Sequence, residues 1–353
     1  MKETMLTYVR EEPEVLKKIK DEFDFRRLQQ HLPKRINRIL ILATGSSLNA
    51  ALSAKYYLEK FAQINVIIEE PYNFQHYGRL DKETDLILAI SQSGKSTSII
   101  NVLENLQTYQ LPIITLTSNL NSPLVAESNY VIDLNVGVEK VGYVTKGFSG
   151  TVLNLFLIAL CIANYKRIFA SEELQQRYEE LTEVIDELPN LIDRATIYFE
   201  DNREIFTKFK RFICVGYGSN IGTAKEFETK FTETVRLPST GYELEAYMHG
   251  PYLEAHNDYL LFFLIDENGE RALHLQNYMS GHVGKTINIV LTEDLIVEED
   301  FSLNSSCQNE FILPLLYVVP IQIWSFKTAT ALGYDLDIDP FPDFDKKLNS
   351  KLV

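Results

Sequence analysis

Two short runs of small hydroxyl residues are the first places in this sequence where chemistry could occur. Thr44-Gly45-Ser46-Ser47-Leu48-Asn49 and Ser91-Gln92-Ser93-Gly94-Lys95-Ser96-Thr97 each follow an apolar run and stand where a helix-compatible stretch begins. A helix N-terminus carries unsatisfied N–H groups and a partial positive charge, so it attracts phosphate. Glycine lets the backbone approach a ligand, and serine hydroxyls add donors without bulk. One such turn alone reads more readily as ordinary helix capping. Two of them favour phosphate. Neither run matches a Walker A or a GxGxxG pattern, so a nucleotide is not indicated.

A second set of residues could move protons. Glu226, Lys230 and Glu233 recur at i, i+4 and i+7 and so share one helix face. His249 follows shortly after, ahead of Gly250-Pro251. Taken singly, these are an ion pair on a helix and a turn residue. Together they are the types that chemistry at a sugar carbonyl needs: a carboxylate to carry a proton from carbon, and an imidazole to serve the ring oxygen near neutral pH.

The elements that must position these groups form two similar halves. In the first, apolar runs at 39–43, Leu86–Ile90 and Ile113–Thr117 alternate with helix-compatible stretches such as 49–61. In the second, runs at 212–215, Tyr259–Ile265 and 287–292 do the same, with a helical stretch at 223–236. Gly45 lies as far from Gly218 as Asp85 lies from Asp258, and Leu116-Thr117 matches Leu291-Thr292 at nearly the same offset. Short, continuously apolar strands alternating with helices predict a parallel, doubly wound α/β sheet in each half. Ligands of such sheets bind beyond the carboxyl ends of the strands, where both serine runs fall. The second half has Asp266-Glu267-Asn268-Gly269 after its middle strand and no serine-rich turn. The halves are thus expected to share a fold and not a task. Between them, 171–202 is acidic, poor in glycine, and predicted to be a helical connector broken at Pro189. The expected domains are 25–170, the connector 171–202, a second subdomain 203–340 and a tail 341–353.

Composition narrows the function classes. The chain has 353 residues, 45% apolar and 24% charged, enough for two cores without disulfides or a structural metal. Its 34 Lys and Arg against 49 Asp and Glu leave a net charge of -15, which disfavours nucleic acid and anionic membranes as partners. Cys161, Cys214 and Cys307 are far apart and lack CxxC spacing, so no metal site is expected. The N-terminal residues do not read as a signal peptide. The apolar runs 150–165 and 311–324 are shorter than the roughly 20 residues of a membrane span and read as core helices. A cytoplasmic location is expected.

The strings ATGSSLNA at 43–50, SQSGKS at 91–96 and HGP at 249–251 resemble the sugar isomerase (SIS) domain family. They are most similar to the isomerase half of glucosamine–fructose-6-phosphate aminotransferases and to the fructosamine-phosphate deglycases, from about Phe25 onward. The resemblance implies two tandem flavodoxin-like subdomains, no cofactor, and a homodimer whose active sites draw on both subunits. It implies that Ser47, Ser91, Ser93 and Ser96 bind a sugar phosphate, with Gln92 donating between them and Gly45, Ser46 and Gly142 lining the sugar. Glu233 would shuttle the proton beside Lys230, His249 would open the ring from the neighbouring subunit, and Lys346 or Lys347 of the tail would reach the open-chain sugar.

The chain also departs from the pattern. Lys95 replaces a glutamate of the aminotransferases, and 141–146 replaces a smaller loop, with a bulkier Tyr143 that suggests a different sugar or adduct. Those enzymes carry a glutaminase domain whose catalytic cysteine is second in the translated chain. Lys2 stands there in this sequence, so ammonia from glutamine is not expected of it. The expected function is an enzyme acting on a 6-phosphorylated amino sugar or ketosamine, by proton transfer between adjacent carbons with gain or loss of an amine. A plain aldose–ketose isomerase, or a non-catalytic phosphosugar-binding regulator, is the alternative. The absence of a fused helix-turn-helix and the acidic charge count against the regulator.

Overall fold

The computed structural model describes residues 2–292 and 300–352, so part of the expected subdomain 203–340 and the last residue of the tail lie outside the described residues. Two compact units emerge, and neither is one continuous stretch of chain. The first comprises residues 14–139, 146–179 and 339–352; the second comprises 2–13, 140–145, 180–292 and 300–338.

After helices α1 (Met5–Glu22) and α2 (Phe25–Gln29), the first unit lays down β1 (Arg38–Leu42), α3 (Ser46–Ala62), β2 (Asn65–Glu69) and α4 (Pro71–Tyr77). It continues through β3 (Leu86–Ile90), α5 (Thr97–Leu106), β4 (Ile113–Thr117), α6 (Pro123–Ala126), β5 (Tyr130–Asp133) and α7 (Lys146–Lys166). The sheet order is β2-β1-β3-β4-β5 and all pairings are parallel. The central strands β3 and β4 are buried at every residue, as expected of a sheet covered on both faces. Asp85 pins the start of the sheet by accepting from Asn37 N (2.7 Å) and Arg38 N (3.1 Å).

Helix α7 exceeds the apolar run read from sequence. At 21 residues it is long and apolar enough to cross a membrane, yet its residues are buried from Lys146 to Ala163. It is the core helix of this unit, and Phe156 on it packs on Tyr57 of α3 with ring centroids 4.4 Å apart.

Next comes α8 (Ser171–Asp201), a single helix that runs through Pro189 where the sequence predicted a break. Proline costs the helix one N–H donor. Leu188, Leu191 and Ile192 are buried on either side of it, and that packing carries the helix onward.

The second unit repeats the sheet with α9 (Arg203–Lys208), β6 (Arg211–Gly216), α10 (Asn220–Val235), β7 (Ser239–Glu243), α11 (Leu244–Met248), β8 (Tyr259–Ile265), α12 (Glu270–Met279), β9 (Lys285–Val290) and β10 (Phe301–Ser302). Helix α13 (Pro314–Ala331) closes this unit, and α14 (Phe344–Leu348) lies in the tail of the first. The order is β7-β6-β8-β9-β10, again all parallel. Numbered within its own unit, each sheet reads 2-1-3-4-5, the flavodoxin-like order. Among the described residues each sheet has five strands where the apolar runs marked three. The additional strands β2, β5, β7 and β10 are the edge strands of the two sheets, where a continuous apolar run is not required.

Trp324 of α13 centres an aromatic core with Phe206, Phe262 and Phe301, and its indole N–H donates to Ala195 O at 2.9 Å. Gly241 lets β7 press against α10, since a Cβ there would stand 2.0 Å from Ala224 O. Backbone cannot yield as a side chain can. Gly241→Ala is therefore expected to destabilise the protein by about 3 kcal/mol, read as a lower urea midpoint at unchanged slope. A midpoint equal to the wild type would refute this close approach.

Candidate active site

In the first unit, β1 and β3 deliver both hydroxyl runs to one edge of the sheet. Gly45 takes φ 58°, a conformation that disfavours a side chain, and caps α3. Ser46 and Ser47 follow, half-buried on the first turn. Ser91 is buried directly after β3, Ser93 is exposed, and Ser96 is half-buried as the cap of α5. The loop is tightly held. Gly94 N donates to Ser91 O (3.0 Å), Lys95 N donates to Ser93 Oγ (3.3 Å), and Ser118 N donates to Gln92 O (3.0 Å). Gly94 has φ 65°, and a Cβ there would stand 1.9 Å from Ser122 Oγ, so no other residue fits. Five serines and two helix N-termini thus lie at the carboxyl edge of one sheet, an arrangement suited to a phosphate.

In the second unit, α10 carries the titratable cluster. Lys230 is fully buried, and its ammonium lies 3.5 Å from Glu226 Oε1 and hydrogen-bonds Glu233 Oε1. Glu226 is equally buried, whereas 31% of the Glu233 side chain is exposed. The spacing read from sequence is therefore a real face, but an inward one. Of the two carboxylates, Glu233 is the one a ligand can reach. Thr234 Oγ1 donates back to Lys230 O (2.7 Å), securing this turn.

Residues 34–163 match the model of the SIS domain family. This stretch is a SIS domain. Over 318 residues the chain is 26% identical to glutamine–fructose-6-phosphate aminotransferase (isomerizing) of Chlorobaculum tepidum, covering 86% of this chain and 50% of that protein. The chain spans about half the length of the curated relatives it matches. The C-terminal domain of glucosamine–fructose-6-phosphate aminotransferase from Francisella tularensis shares the fold, with TM-score 0.87, 22% identity, and coverage of 96% of this chain and 99% of that one. A candidate phosphosugar isomerase from Clostridium difficile 630 matches with TM-score 0.89 and 25% identity over 98% of both chains.

Two contacts of the SIS domain had no signature in the sequence. The side-chain amide of Gln92 donates to Glu139 Oε1 at 2.9 Å. The tail also folds back onto the second serine run. Thr97 N, in the first turn of α5, donates to Ser350 O (3.2 Å), and Leu352 N donates to Lys95 O (2.9 Å). Asp345 secures this clasp by accepting from Lys351 Nζ (2.8 Å) and from Ser350 Oγ, contacts that hold its carboxyl below the usual range. Lys346 lies exposed on α14, and Lys347 pairs with Asp343 at 2.6 Å.

His249 ends α11 with its side chain 80% exposed, and its polar neighbour among the described residues is Glu245, at 3.9 Å. No hydrogen bond among the described residues joins it to Glu233. Gly142 is exposed and belongs to the second unit. The edge of the second sheet that corresponds to the serine runs is filled. Tyr217 donates to Asp266 Oδ1 at 2.7 Å and receives Asp266 N at 3.0 Å, while Tyr317 donates to Ile265 O at 2.5 Å. A carboxylate there repels phosphate.

Removing one member of a buried ion cluster strands the rest. Lys230→Met is expected to cost about 3–5 kcal/mol, with Glu226→Gln in the same chain recovering part of it, both measured by urea unfolding. A loss below about 1 kcal/mol would place Lys230 in contact with water.

Proposed function

We propose that the chain is an enzyme acting on a 6-phosphorylated amino sugar or ketosamine. It would move a proton between adjacent sugar carbons while an amine is gained or lost. The observation that carries this reading is the pair of serine-rich strand ends in the SIS domain, Ser47 beside Ser91-Gln92-Ser93 and Ser96, built as an anion cradle. They would grip the 6-phosphate of the substrate. Glu233 has one carboxylate oxygen bonded to the Lys230 ammonium, which fixes its rotamer and leaves the other oxygen to the substrate. That oxygen takes a proton from the carbon next to a carbonyl or imine, giving an enediol or enolamine, and returns it to the neighbouring carbon. The amine component draws support from the sequence likeness to an aminotransferase that is also named as isomerizing.

His249 would supply the ring-opening acid–base group. It is an exposed imidazole with no bond to Glu233 in its own chain, which supports delivery to a second copy of the protein and a homodimer with shared sites. Lys346, exposed on the tail, would contact the open-chain sugar.

The test is turnover on a panel of amino sugar, ketosamine and plain hexose 6-phosphates, assayed for ammonia, free amine and ketose phosphate. Ammonia or amine release is expected, and Glu233→Gln should lower kcat roughly 10²- to 10⁴-fold with substrate affinity nearly kept. Ser91→Ala should weaken binding more than turnover. Turnover confined to the plain hexose phosphates would make the chain an aldose–ketose isomerase. Tight binding with no turnover of any of them would make it a phosphosugar sensor.

A further inference from the structure

Glu139 belongs to no motif, yet it holds two parts of the SIS domain together. Its Oε1 accepts from Gln92 Nε2 and from Gly147 N, both at 2.9 Å. Gly147 lies in the first turn of α7, where an N–H has no intrahelical acceptor and a carboxylate is favoured. The Gln92 amide also rests against Gly147, since a Cβ there would lie 2.5 Å from Nε2 and 2.6 Å from Oε1. Its backbone is fixed as well, with Gln92 O receiving Ser118 N (3.0 Å) and Thr117 Oγ1 (3.2 Å).

A carboxylate only accepts hydrogen bonds, so it can hold an amide by its nitrogen alone. Rotating the Gln92 amide by half a turn would set oxygen against oxygen. Glu139 therefore selects one of the two amide orientations. The amide oxygen receives no hydrogen bond among the described residues, which leaves it to a ligand. An oxygen acceptor suits a sugar hydroxyl and not a phosphate oxygen.

We propose that Glu139 is a positioning residue that locks Gln92 in this orientation, so that Gln92 accepts from a hydroxyl of the bound phosphosugar and does not donate to its phosphate. The inference rests on the phosphosugar reading above. It also changes the role that the family resemblance implied for Gln92.

The experiment measures calorimetric Kd for fructose 6-phosphate and for inorganic phosphate, together with Tm, in the full-length wild type and in Gln92→Ala, Glu139→Ala, Glu139→Gln and the Gln92→Ala/Glu139→Ala double variant. Each alanine variant is expected to raise the fructose 6-phosphate Kd about tenfold while inorganic phosphate changes by less than about twofold. The double variant should bind no more weakly than Gln92→Ala, because Glu139 acts through Gln92. Glu139→Gln keeps an acceptor oxygen and should recover most of the loss. Equal weakening for inorganic phosphate would overturn the acceptor role, and additive losses would reduce Glu139 to a cap of α7. Unchanged sugar-phosphate affinity in both alanine variants would overturn the inference alone. A wild type that binds neither ligand would overturn the phosphosugar reading as well.

Discussion

In a parallel sheet every strand ends on the same edge, and every crossover helix begins there. That constraint places the polar, positively polarised ends of the helices together and makes the edge the natural ligand site. Both units have it, through the same 2-1-3-4-5 order, and they resolve it in opposite ways. The first leaves the edge lined with serine and glycine, small enough to admit an anion. The second closes it with the Tyr217–Asp266 bond and a tyrosine from α13. One fold thus supplies an open, hydroxyl-lined edge in the first unit and a closed one in the second.

What α10 displays follows from burial. An ammonium without water must sit against opposite charge, and Lys230 sits between Glu226 and Glu233. Glu226 is sealed in with it. Glu233 reaches the surface while still tethered, and the tether keeps its carboxylate in one position.

Much of this was legible in the residues and some of it could not be. The buried runs of β1, β3 and β4 announce central parallel strands, and the hydroxyl runs that follow them mark the carboxyl edge. Ser239–Glu243 holds no continuous apolar run, and β10 is two residues long, so the edge strands leave little trace. Helical spacing puts Glu226, Lys230 and Glu233 on one face, but spacing does not say whether that face meets water or protein. The pairing of 95–97 with Ser350 and Leu352 runs through main-chain atoms, which carry no residue signature. Gln92 and Glu139 meet only because α7 begins beside the second serine run, a tertiary fact. Pro189 misled because local propensity yields to the buried residues around it.

The central claim is that Glu233 carries a proton between sugar carbons while the SIS domain holds the phosphate. The most direct measurement is NMR of deuterium uptake from D₂O into a bound hexose 6-phosphate. The wild type should label the carbon next to the carbonyl. Glu233→Gln should bind the same ligand and label it at least about a hundredfold more slowly. Labelling at the wild-type rate in that variant, with binding intact, would show that another group moves the proton and would contradict the account.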